Sequence, residues 1–357
     1  MKKKVLHIVE AFGGGVFSVL CDMFNGLSEE YDIVVAYAKR KQTPENFKDY
    51  FKPNIKFIEV KNFTREVNFT KDIKALKEIK KIYKEEKPDI VHLHSSKAGI
   101  LGRLGIHSRE IKMFYNPHGF SFLKQDDSKI KRLIYWWIEK ATAIINKRCT
   151  IVGCSKGEYD EAFKLNKNSI LINNGIDIEK LKKETENLNE KEIDSTNLKF
   201  CTVGRIGYQK NPKEFNEIAK MFPNIKFTWI GEGELRNELT SSNIDITGWK
   251  ERKDVLQVLN ENDIFILTSL WEGLPISLLE AMYMKKICIV SDVIGNRDVI
   301  ENEKNGFIAN DIENYKEIIN QIENKGIEKL KEKAREDVMC LYSSNVMVGK
   351  YKTVYES

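Results

Sequence analysis

Several patterns that mark common kinds of site are missing from this chain of 357 residues. Its six cysteines are scattered and form no C-x-x-C pair, so a zinc site or a disulfide framework is disfavoured and buried free thiols are expected. No apolar run approaches the ~20 residues that cross a bilayer. The apolar run at 5–9 is short and soon followed by Gly13-Gly14-Gly15, which predicts a first strand and not a signal peptide. These absences predict a cytoplasmic protein.

Motifs for phosphates and metals are scarce as well. The glycines form neither G-x-G-x-x-G nor a P-loop, so a nicotinamide or nucleoside-triphosphatase site is poorly supported. His92 and His94 face the same side of a predicted strand. No third or fourth ligand is spaced to join them, which argues against zinc. A hydrogen-bonded packing role is the alternative for such histidines.

The composition is that of an ordinary globular protein. With 41% hydrophobic and 31% charged residues, the chain has ample core for about two domains. Its net charge is +5, and the excess is concentrated at 51–150, where 22 basic residues stand against 11 acidic ones. A basic half is typical of a protein with an anionic partner, such as nucleic acid, a phosphorylated substrate or a membrane leaflet. A lysine-rich solvated surface explains it equally well.

Strand and helix patterns alternate along the chain in two series, which predicts two parallel, doubly wound sheets. The polar segment 181–197, which is low in apolar residues, is interpreted as an interdomain linker. We therefore expect one Rossmann-like domain over 1–180 and a second over 198–342, facing each other across a cleft.

The second series leads to the stretch on which the functional interpretation depends. An apolar run at 264–267 is typical of a buried parallel strand, a polar loop follows it, and Pro275 suits the first position of a helix. Ligands of open α/β sheets bind beyond the carboxyl ends of the strands, where a helix N-terminus favours an anion. Glu272 and Glu280 would repel a phosphate, so we expect them to face sugar hydroxyls. Two carboxylates could also hydrolyse a glycoside, but carboxylates beside cations fit transfer better.

Turns at other strand ends supply the remaining candidates. Arg205 and Lys210 lie between a strand and a helix that begins with proline, a placement that suits a diphosphate. No Asp-x-Asp metal motif occurs, so charge neutralisation would fall to these cations and to helix dipoles. His118 directly follows a strand and can donate to a substrate oxygen or carry a proton, or it serves a structural turn. The glycine turn at 13–15 brings backbone N–H groups to a ligand or is only a tight turn.

The predicted helix at 128–147 mixes cations with aromatic and aliphatic residues. Such a helix can dock on an anionic membrane surface. A core helix with solvated ends is the interpretation that we favour.

Together these motifs resemble the retaining glycosyltransferases of family 4, which have the two-domain GT-B fold. The hallmark E-x7-E is met by residues 272–280, and Glu-Ala-Met follows from Glu280 as in many members. Other segments match in order and spacing: the glycine turn, Pro117-His118-Gly119-Phe120, Asn174-Gly175-Ile176-Asp177, Gly204-Arg205 with Lys210, and Gly248-Trp249. The resemblance covers essentially the whole chain. One departure is Val293-Ile294-Gly295-Asn296, which replaces a common Gly-Gly pair.

The resemblance implies a role for each candidate. It assigns the diphosphate to Arg205 and Lys210, the ribose hydroxyls to Glu280, and the donor sugar to Glu272. His118 would contact the transferred sugar near the reaction centre. The other residues of the implied binding set act largely through their backbone and are Gly14, Gly15, Trp249, Lys250, Gly273, Leu274 and Leu279. The final helix, 343–357, is implied to cross back to the N-terminal domain.

The implied activity is transfer, with retention, from a nucleotide-sugar to a glycan in capsule or O-antigen synthesis. A UDP-sugar such as UDP-GlcNAc, UDP-GalNAc or UDP-Gal is the expected donor, and a lipid-diphosphate-linked glycan is the expected acceptor. In a front-face path the leaving phosphate helps to deprotonate the acceptor while Arg205 and Lys210 stabilise the developing charge.

The resemblance also sets expectations about partners. The nucleotide-sugar is a substrate, so no cofactor, no metal and no nucleic acid are expected. Peripheral contact with an anionic membrane, at the inner face of the cell membrane, stays open. A non-catalytic nucleotide-sugar-binding subunit and a GT-B sugar-nucleotide epimerase are the alternatives.

Overall fold

The computed structural model describes residues 2–40, 42–64, 66–188, 198–322 and 327–357. The chain divides into two compact units, and each contains a single parallel sheet, as the alternating pattern predicts. Unit 1 comprises residues 1–123, 127–175 and 344–357, and unit 2 comprises residues 124–126 and 176–343.

Unit 1 contains a seven-stranded sheet of order β3-β2-β1-β4-β5-β6-β7. Its strands are β1 (Lys4–Val9), β2 (Asp32–Tyr37), β3 (Lys56–Glu59), β4 (Ile90–His94), β5 (Lys112–Asn116), β6 (Thr150–Gly153) and β7 (Ser169–Leu171). Its first five helices are α1 (Gly14–Leu27), α2 (Phe69–Glu86), α3 (Ser96–Gly105), α4 (Lys129–Ile145) and α5 (Lys156–Leu165). The central strands are buried on both faces, which explains their continuous apolar runs.

Unit 2 contains a six-stranded sheet of order β10-β9-β8-β11-β12-β13. Its strands are β8 (Lys199–Val203), β9 (Lys226–Ile230), β10 (Ile244–Gly248), β11 (Ile264–Leu267), β12 (Ile287–Ser291) and β13 (Phe307–Ala309). Its helices are α6 (Ile178–Thr185), α7 (Pro212–Met221), α8 (Arg252–Glu261), α9 (Ile276–Tyr283), α10 (Ile312–Gln321) and α11 (Ile327–Leu341).

The last helix, α12 (Ser344–Glu356), follows unit 2 in the sequence but packs in unit 1 against α1. Its inner face carries Tyr351 and Tyr355, which are wholly buried. The hydroxyl of Tyr351 donates to Asn116 Oδ1 at 3.1 Å, and that of Tyr355 lies 2.5 Å from His92 Nδ1. These buried polar contacts tie the end of the chain to strands β4 and β5.

The predicted linker is wrong in its first part. Residues 178–185 form α6, which packs against α8 and buries Leu181. Residues 186–188 form a turn, and residues 189–197 of the predicted linker lie outside the described residues. The alternating pattern also missed α5 and β7, which have only 10 and 3 residues. Five of the cysteines are buried free thiols as expected, whereas Cys340 is exposed.

Candidate functional site

The turn between β11 and α9 carries the E-x7-E residues. Strand β11 is wholly buried, and α9 begins after Pro275, which is its N-cap and not its first residue. Glu272 lies in the turn and Glu280 lies within the helix, and both are more than nine-tenths buried. The backbone N–H groups of Gly273 and Leu274 have no protein acceptor among the described residues. The turn therefore offers free donors beside two buried carboxylates.

Lys210 and Glu272 form an ion pair in unit 2. The distance from Lys210 Nζ to Glu272 Oε1 is 2.7 Å, and the side chains are 16% and 8% exposed. The turns that follow β8 and β11 are joined around this pair, because Gln209 Nε2 donates to the carbonyl of Trp271 at 2.9 Å. Gln209 Nε2 also lies 3.3 Å from Glu272 Oε2. Gln209 is a site residue that sequence reasoning missed, although it directly precedes Lys210.

Arg205 is paired with a carboxylate as well. Its Nε and Nη2 atoms lie 2.9 and 2.8 Å from Glu234 Oε2, and both side chains are about half exposed. The backbone beneath Arg205 is fixed by the turn after β9, where a Cβ atom on Gly231 would lie 2.1 Å from the Gly204 carbonyl oxygen. Exposed ion pairs contribute only ~0–1 kcal/mol. An anionic ligand could therefore displace Glu234 from Arg205 at little cost.

Glu280 is held by Arg252, a residue that lies outside the sequence motifs. Arg252 Nη1 donates to Glu280 Oε1, and Arg252 Nε lies 3.2 Å from Glu184 Oε2. Burial opposes the charged form of Arg252, but the two carboxylates raise its pKa above the ordinary value. Arg252 is the first residue of α8 and follows Lys250, a predicted binding residue, by two positions. This closeness in sequence is the signal that could have identified Arg252. Any ligand hydroxyl that donates to Glu280 would share this carboxylate with Arg252.

The loops that carry these groups follow four neighbouring strands of one parallel sheet. Arg205 and Lys210 follow β8, Glu234 follows β9, and Glu272 follows β11. The carboxyl ends of parallel strands meet at one edge of a sheet, where ligands of such sheets bind. Trp249 follows β10 at the same edge, and its side chain is 64% exposed. Lys250 beside it is exposed too.

The segment that departs from the family pattern packs on the Glu272 turn. Gly295 has a φ of +87°, and a Cβ atom there would lie 2.6 Å from the Gly273 carbonyl oxygen and 3.0 Å from Glu272 Cβ. A single glycine thus makes the close approach. Leu274 and Leu279 are buried, so any ligand contact from Leu279 has to come from its backbone.

The glycine turn lies at the carboxyl end of β1 in unit 1. Gly13 is the N-cap of α1, and Gly14 has a φ of +57° with open space where a Cβ atom would stand. Gly14 and Gly15 are exposed, and the first turn of α1 carries no acidic residue. This helix end is therefore open to an anion.

His118 lies in a left-handed turn, with a φ of +51°. The next N–H group, that of Gly119, donates to Glu158 Oε1 at 2.5 Å, and that of Cys154 donates to Glu158 Oε2 at 2.8 Å. The buried carboxylate at the start of α5 thus fixes the turn. Burial lowers the pKa of His118 to about 4, so its ring is neutral near pH 7. Its Nδ1 atom is buried and has no partner among the described residues.

The expectation that no third ligand joins His92 and His94 is wrong. Strand β1 pairs with β4 in a register that sets His7 opposite His92, and the three rings lie together. Several of their nitrogens are already hydrogen-bonded: His7 Nδ1 lies 3.0 Å from His94 Nε2, and His92 Nε2 lies 2.6 Å from Asn116 Oδ1. A metal would have to displace these bonds. The absence of a metal stays a prediction.

The favoured interpretation of α4 as a core helix is wrong for most of its apolar residues. Its buried positions include Glu139, which accepts from Arg103 and from the Tyr115 hydroxyl at 2.8 Å. The large apolar side chains that it leaves exposed are Ile130, Leu133, Ile134, Trp137, Ile138, Ile144 and Ile145. None of the described helices combines the length and the apolar character that a bilayer crossing requires. The surface of α4 is therefore an apolar face on a helix that does not span a membrane.

Two family models match the chain, one to each half. Residues 13–180 match the model described as Glycosyltransferase Family 4, and residues 183–337 match Glycosyl transferases group 1. The chain is 32% identical over 336 residues to the Escherichia coli UDP-Gal:alpha-D-GlcNAc-diphosphoundecaprenol alpha-1,3-galactosyltransferase, covering 86% of this chain and 85% of that one. It is 26% identical, over 68% of this chain and 67% of that one, to the Campylobacter jejuni N,N'-diacetylbacillosaminyl-diphospho-undecaprenol alpha-1,3-N-acetylgalactosaminyltransferase.

Solved structures have the same fold at low identity. Sucrose-phosphate synthase from Thermosynechococcus elongatus superposes with a TM-score of 0.82 at 16% identity, covering 99% of this chain and 98% of that one. Anabaena HepE in complex with UDP and glucose superposes with a TM-score of 0.77 at 14% identity, covering 99% and 100%. These likenesses, with the two parallel sheets, confirm the two-domain Rossmann-like GT-B fold.

Proposed function

Because the chain belongs to glycosyltransferase family 4, we propose that it transfers a hexose from a UDP-sugar, with retention, to a lipid-diphosphate-linked glycan. That the chain is a glycosyltransferase follows from the family, whereas the donor, the acceptor and the stereochemistry are proposed. The observation that supports the donor site most directly is the Lys210–Glu272 pair beside the free N–H groups of Gly273 and Leu274. The Lys210 cation, the Glu272 carboxylate and the two amides that are unpaired among the described residues thus lie together on the turns after β8 and β11, which Gln209 joins.

The two residues of this pair have different roles in the proposed donor site. The β-phosphate of the donor binds Lys210 in place of Glu272. The carboxylate oxygens of Glu272 can then accept hydrogen bonds from sugar hydroxyls. Arg205 exchanges Glu234 for the diphosphate in the same way. Each exchange replaces an ion pair inside the protein with one to the ligand, so both cations are in place before the donor arrives. Such preorganisation is the main source of electrostatic stabilisation in enzymes.

The same groups serve the transition state. Negative charge develops on the leaving diphosphate as the bond to the sugar breaks, and Arg205 and Lys210 face that charge. In a front-face path the leaving phosphate oxygen takes the proton of the acceptor hydroxyl. Glu272 stays an acceptor for sugar hydroxyls and makes no covalent bond. Retention of configuration follows from attack on the face that the diphosphate leaves.

The donor and acceptor classes rest on the relatives. Their names describe transfer to undecaprenyl-diphosphate-linked sugars, from UDP-Gal in the Escherichia coli protein. We propose UDP-Gal, UDP-GlcNAc or UDP-GalNAc as the donor and a polyprenyl-diphosphate-linked sugar as the acceptor. Capsule or O-antigen synthesis is the setting in which such a product is used.

An acceptor anchored in a lipid requires the protein to work at a membrane surface, and we propose that α4 makes this contact. Its exposed apolar residues include Ile130, 73% exposed, and Trp137, 59% exposed. Cations are distributed along and beyond the helix, at Lys129, Lys131, Arg132, Lys140, Lys147 and Arg148. Apolar residues enter the acyl boundary while cations meet anionic headgroups. Vesicles of anionic lipid, and not neutral ones, are the expected partner.

The transfer is tested with purified protein, a panel of UDP-, GDP- and ADP-sugars, and a polyprenyl-diphosphate-linked GlcNAc acceptor. Lys210→Ala should abolish transfer, while the exposed Lys213→Ala on α7 should leave it unchanged. UDP release that needs no acceptor would point to an epimerase, and donor binding without turnover would point to a non-catalytic subunit. Either result overturns the proposal.

The membrane contact is tested by vesicle flotation. Trp137→Gln should reduce binding to anionic vesicles. Phe69→Gln is the control and should not reduce it, because Phe69 is an even more exposed apolar residue but lies on α2. If α4 instead pairs with a second copy of the chain, the mass in solution rises with concentration and Trp137→Gln abolishes that rise. In that case the membrane assignment is wrong.

A further inference from the structure

Three histidine rings in unit 1 form a hydrogen-bonded chain. His118 Nε2 lies 3.0 Å from His94 Nδ1, and His94 Nε2 lies 3.0 Å from His7 Nδ1. The rings come from three segments, since His7 is on β1, His94 ends β4 and His118 follows β5. The two atoms at the ends of the chain, His118 Nδ1 and His7 Nε2, are buried without a partner among the described residues.

We infer that His94 and His7 are positioning residues that fix the ring orientation and the tautomer of His118. The inference rests on the proposed function and on the role that the family resemblance implies for His118, which is contact with the transferred sugar. Because His118 Nε2 is occupied by His94, Nδ1 is the atom left for a ligand. The orientation of the ring is thus set by a contact 24 residues away in the sequence.

The protons of the three rings are coupled. Each N···N contact holds one proton, so in the neutral chain either all three Nδ1 atoms are protonated or all three Nε2 atoms are. Burial lowers the pKa of His94 and of His7 well below the ordinary value. His92, which stacks on His94 with 4.2 Å between ring centroids, has a pKa of about 3 for the same reason. The chain therefore stays neutral, and only the direction of its hydrogen bonds can vary.

The two ends decide that direction. If the Nε2 atoms carry the protons, His7 keeps a buried N–H donor that has no acceptor among the described residues. If the Nδ1 atoms carry them, His7 keeps a bare nitrogen and the free donor lies on His118, where a ligand oxygen can accept it. In protein backbones, unpaired buried N–H groups are rarer than unpaired buried acceptors, and we apply the same preference to these ring nitrogens. The chain therefore presents Nδ1–H of His118 as a hydrogen-bond donor to the sugar.

The direction can be measured without substrate. The protein has only five histidines, so the ring nitrogens can be resolved after labelling with ¹⁵N-histidine. His7, His94 and His118 are expected in the Nδ1–H form, and the exposed His107 provides the reference. Nε2–H on His118 would overturn the inference. Because this spectrum needs no turnover, its outcome is independent of whether the transferase activity is found.

Variants test the link to catalysis. His94→Phe should lower kcat about 10-fold, the size of one lost hydrogen bond, and shift His118 towards the Nε2–H form, with little change in the donor KM. His92→Phe is the matched control, since it alters the same stack but lies outside the chain. It should lower the melting temperature comparably and leave kcat within twofold. Equal losses of kcat in the two variants, or an unshifted His118 spectrum in His94→Phe, would show that His94 only packs.

Discussion

Variants of the Lys210–Glu272 pair can separate the contribution of the pair to stability from its contribution to UDP binding. Lys210→Met removes the charge and keeps the side-chain stem, which packs near Gly204. Glu272 is then left as a carboxylate that is more than nine-tenths buried, and Gln209 Nε2, at 3.3 Å, is its remaining donor in the part of the chain that the structure describes. Breaking a buried pair costs ~3–5 kcal/mol, and the partial exposure of Lys210 places the expected loss at ~2–4 kcal/mol.

The double variant Lys210→Met with Glu272→Gln removes both charges. Replacing a buried pair by neutral groups of similar shape is close to neutral for stability, so the double variant should recover most of the loss. UDP should raise the melting temperature of the wild type, whereas neither variant should respond to it. Ligand at ~100 times its Kd contributes about 2.7 kcal/mol, which thermal unfolding resolves readily.

The measurements are thermal unfolding with and without UDP and quenching of the tryptophan fluorescence. Each kcal/mol shifts the melting temperature of a domain of this size by about 2–4 °C. Lys213→Met serves as the control, since Lys213 is exposed on α7. Equal stability of the single and double variants would refute the coupling of the pair. A normal response to UDP in the double variant would refute the role of Lys210 in binding the diphosphate.

Three further predictions follow from the packing of both units. In the folded protein, burial lowers the pKa of His118 to about 4 and that of His92 to about 3. In the unfolded protein both histidines have their ordinary pKa, so the unfolded state binds more protons than the folded state below pH ~6.5. The free energy of unfolding should therefore fall as the pH drops from 6.5 towards 4, by up to ~1.4 kcal/mol per pH unit for each buried histidine. Denaturant titrations at several pH values measure this, and a free energy that does not change with pH would contradict it. Gly231→Ala should displace the Arg205 loop, because its Cβ atom would meet the Gly204 carbonyl oxygen, and should weaken UDP binding by at least 10-fold in calorimetry. Glu158→Gln should loosen the His118 turn and lower kcat several-fold while UDP affinity is retained; loss of UDP affinity would contradict the assignment of Glu158 to that turn.

Short-range patterns were sufficient for the two sheets and the site turns. Strands such as β11 are buried on both faces, so their apolar runs are visible in the sequence, and helices such as α7 begin at a proline. The Glu272 turn was recognisable because strand, loop and helix are consecutive. By contrast, α6 escaped notice because Leu181 is its one wholly buried side chain in a polar segment.

The sequence by itself determined which residues stand at the strand ends, because the order of strand, turn and helix is local. Only the tertiary structure decided their partners. Arg252 reaches Glu280 from another helix, and His7 meets His94 from 87 positions away, because β1 and β4 are neighbours in the sheet. It also decided which face of α4 is covered, since periodicity shows an apolar stripe but not what packs against it. The pairing of distant residues, and the choice of which apolar surface is covered, are properties of the packed chain and leave no local pattern.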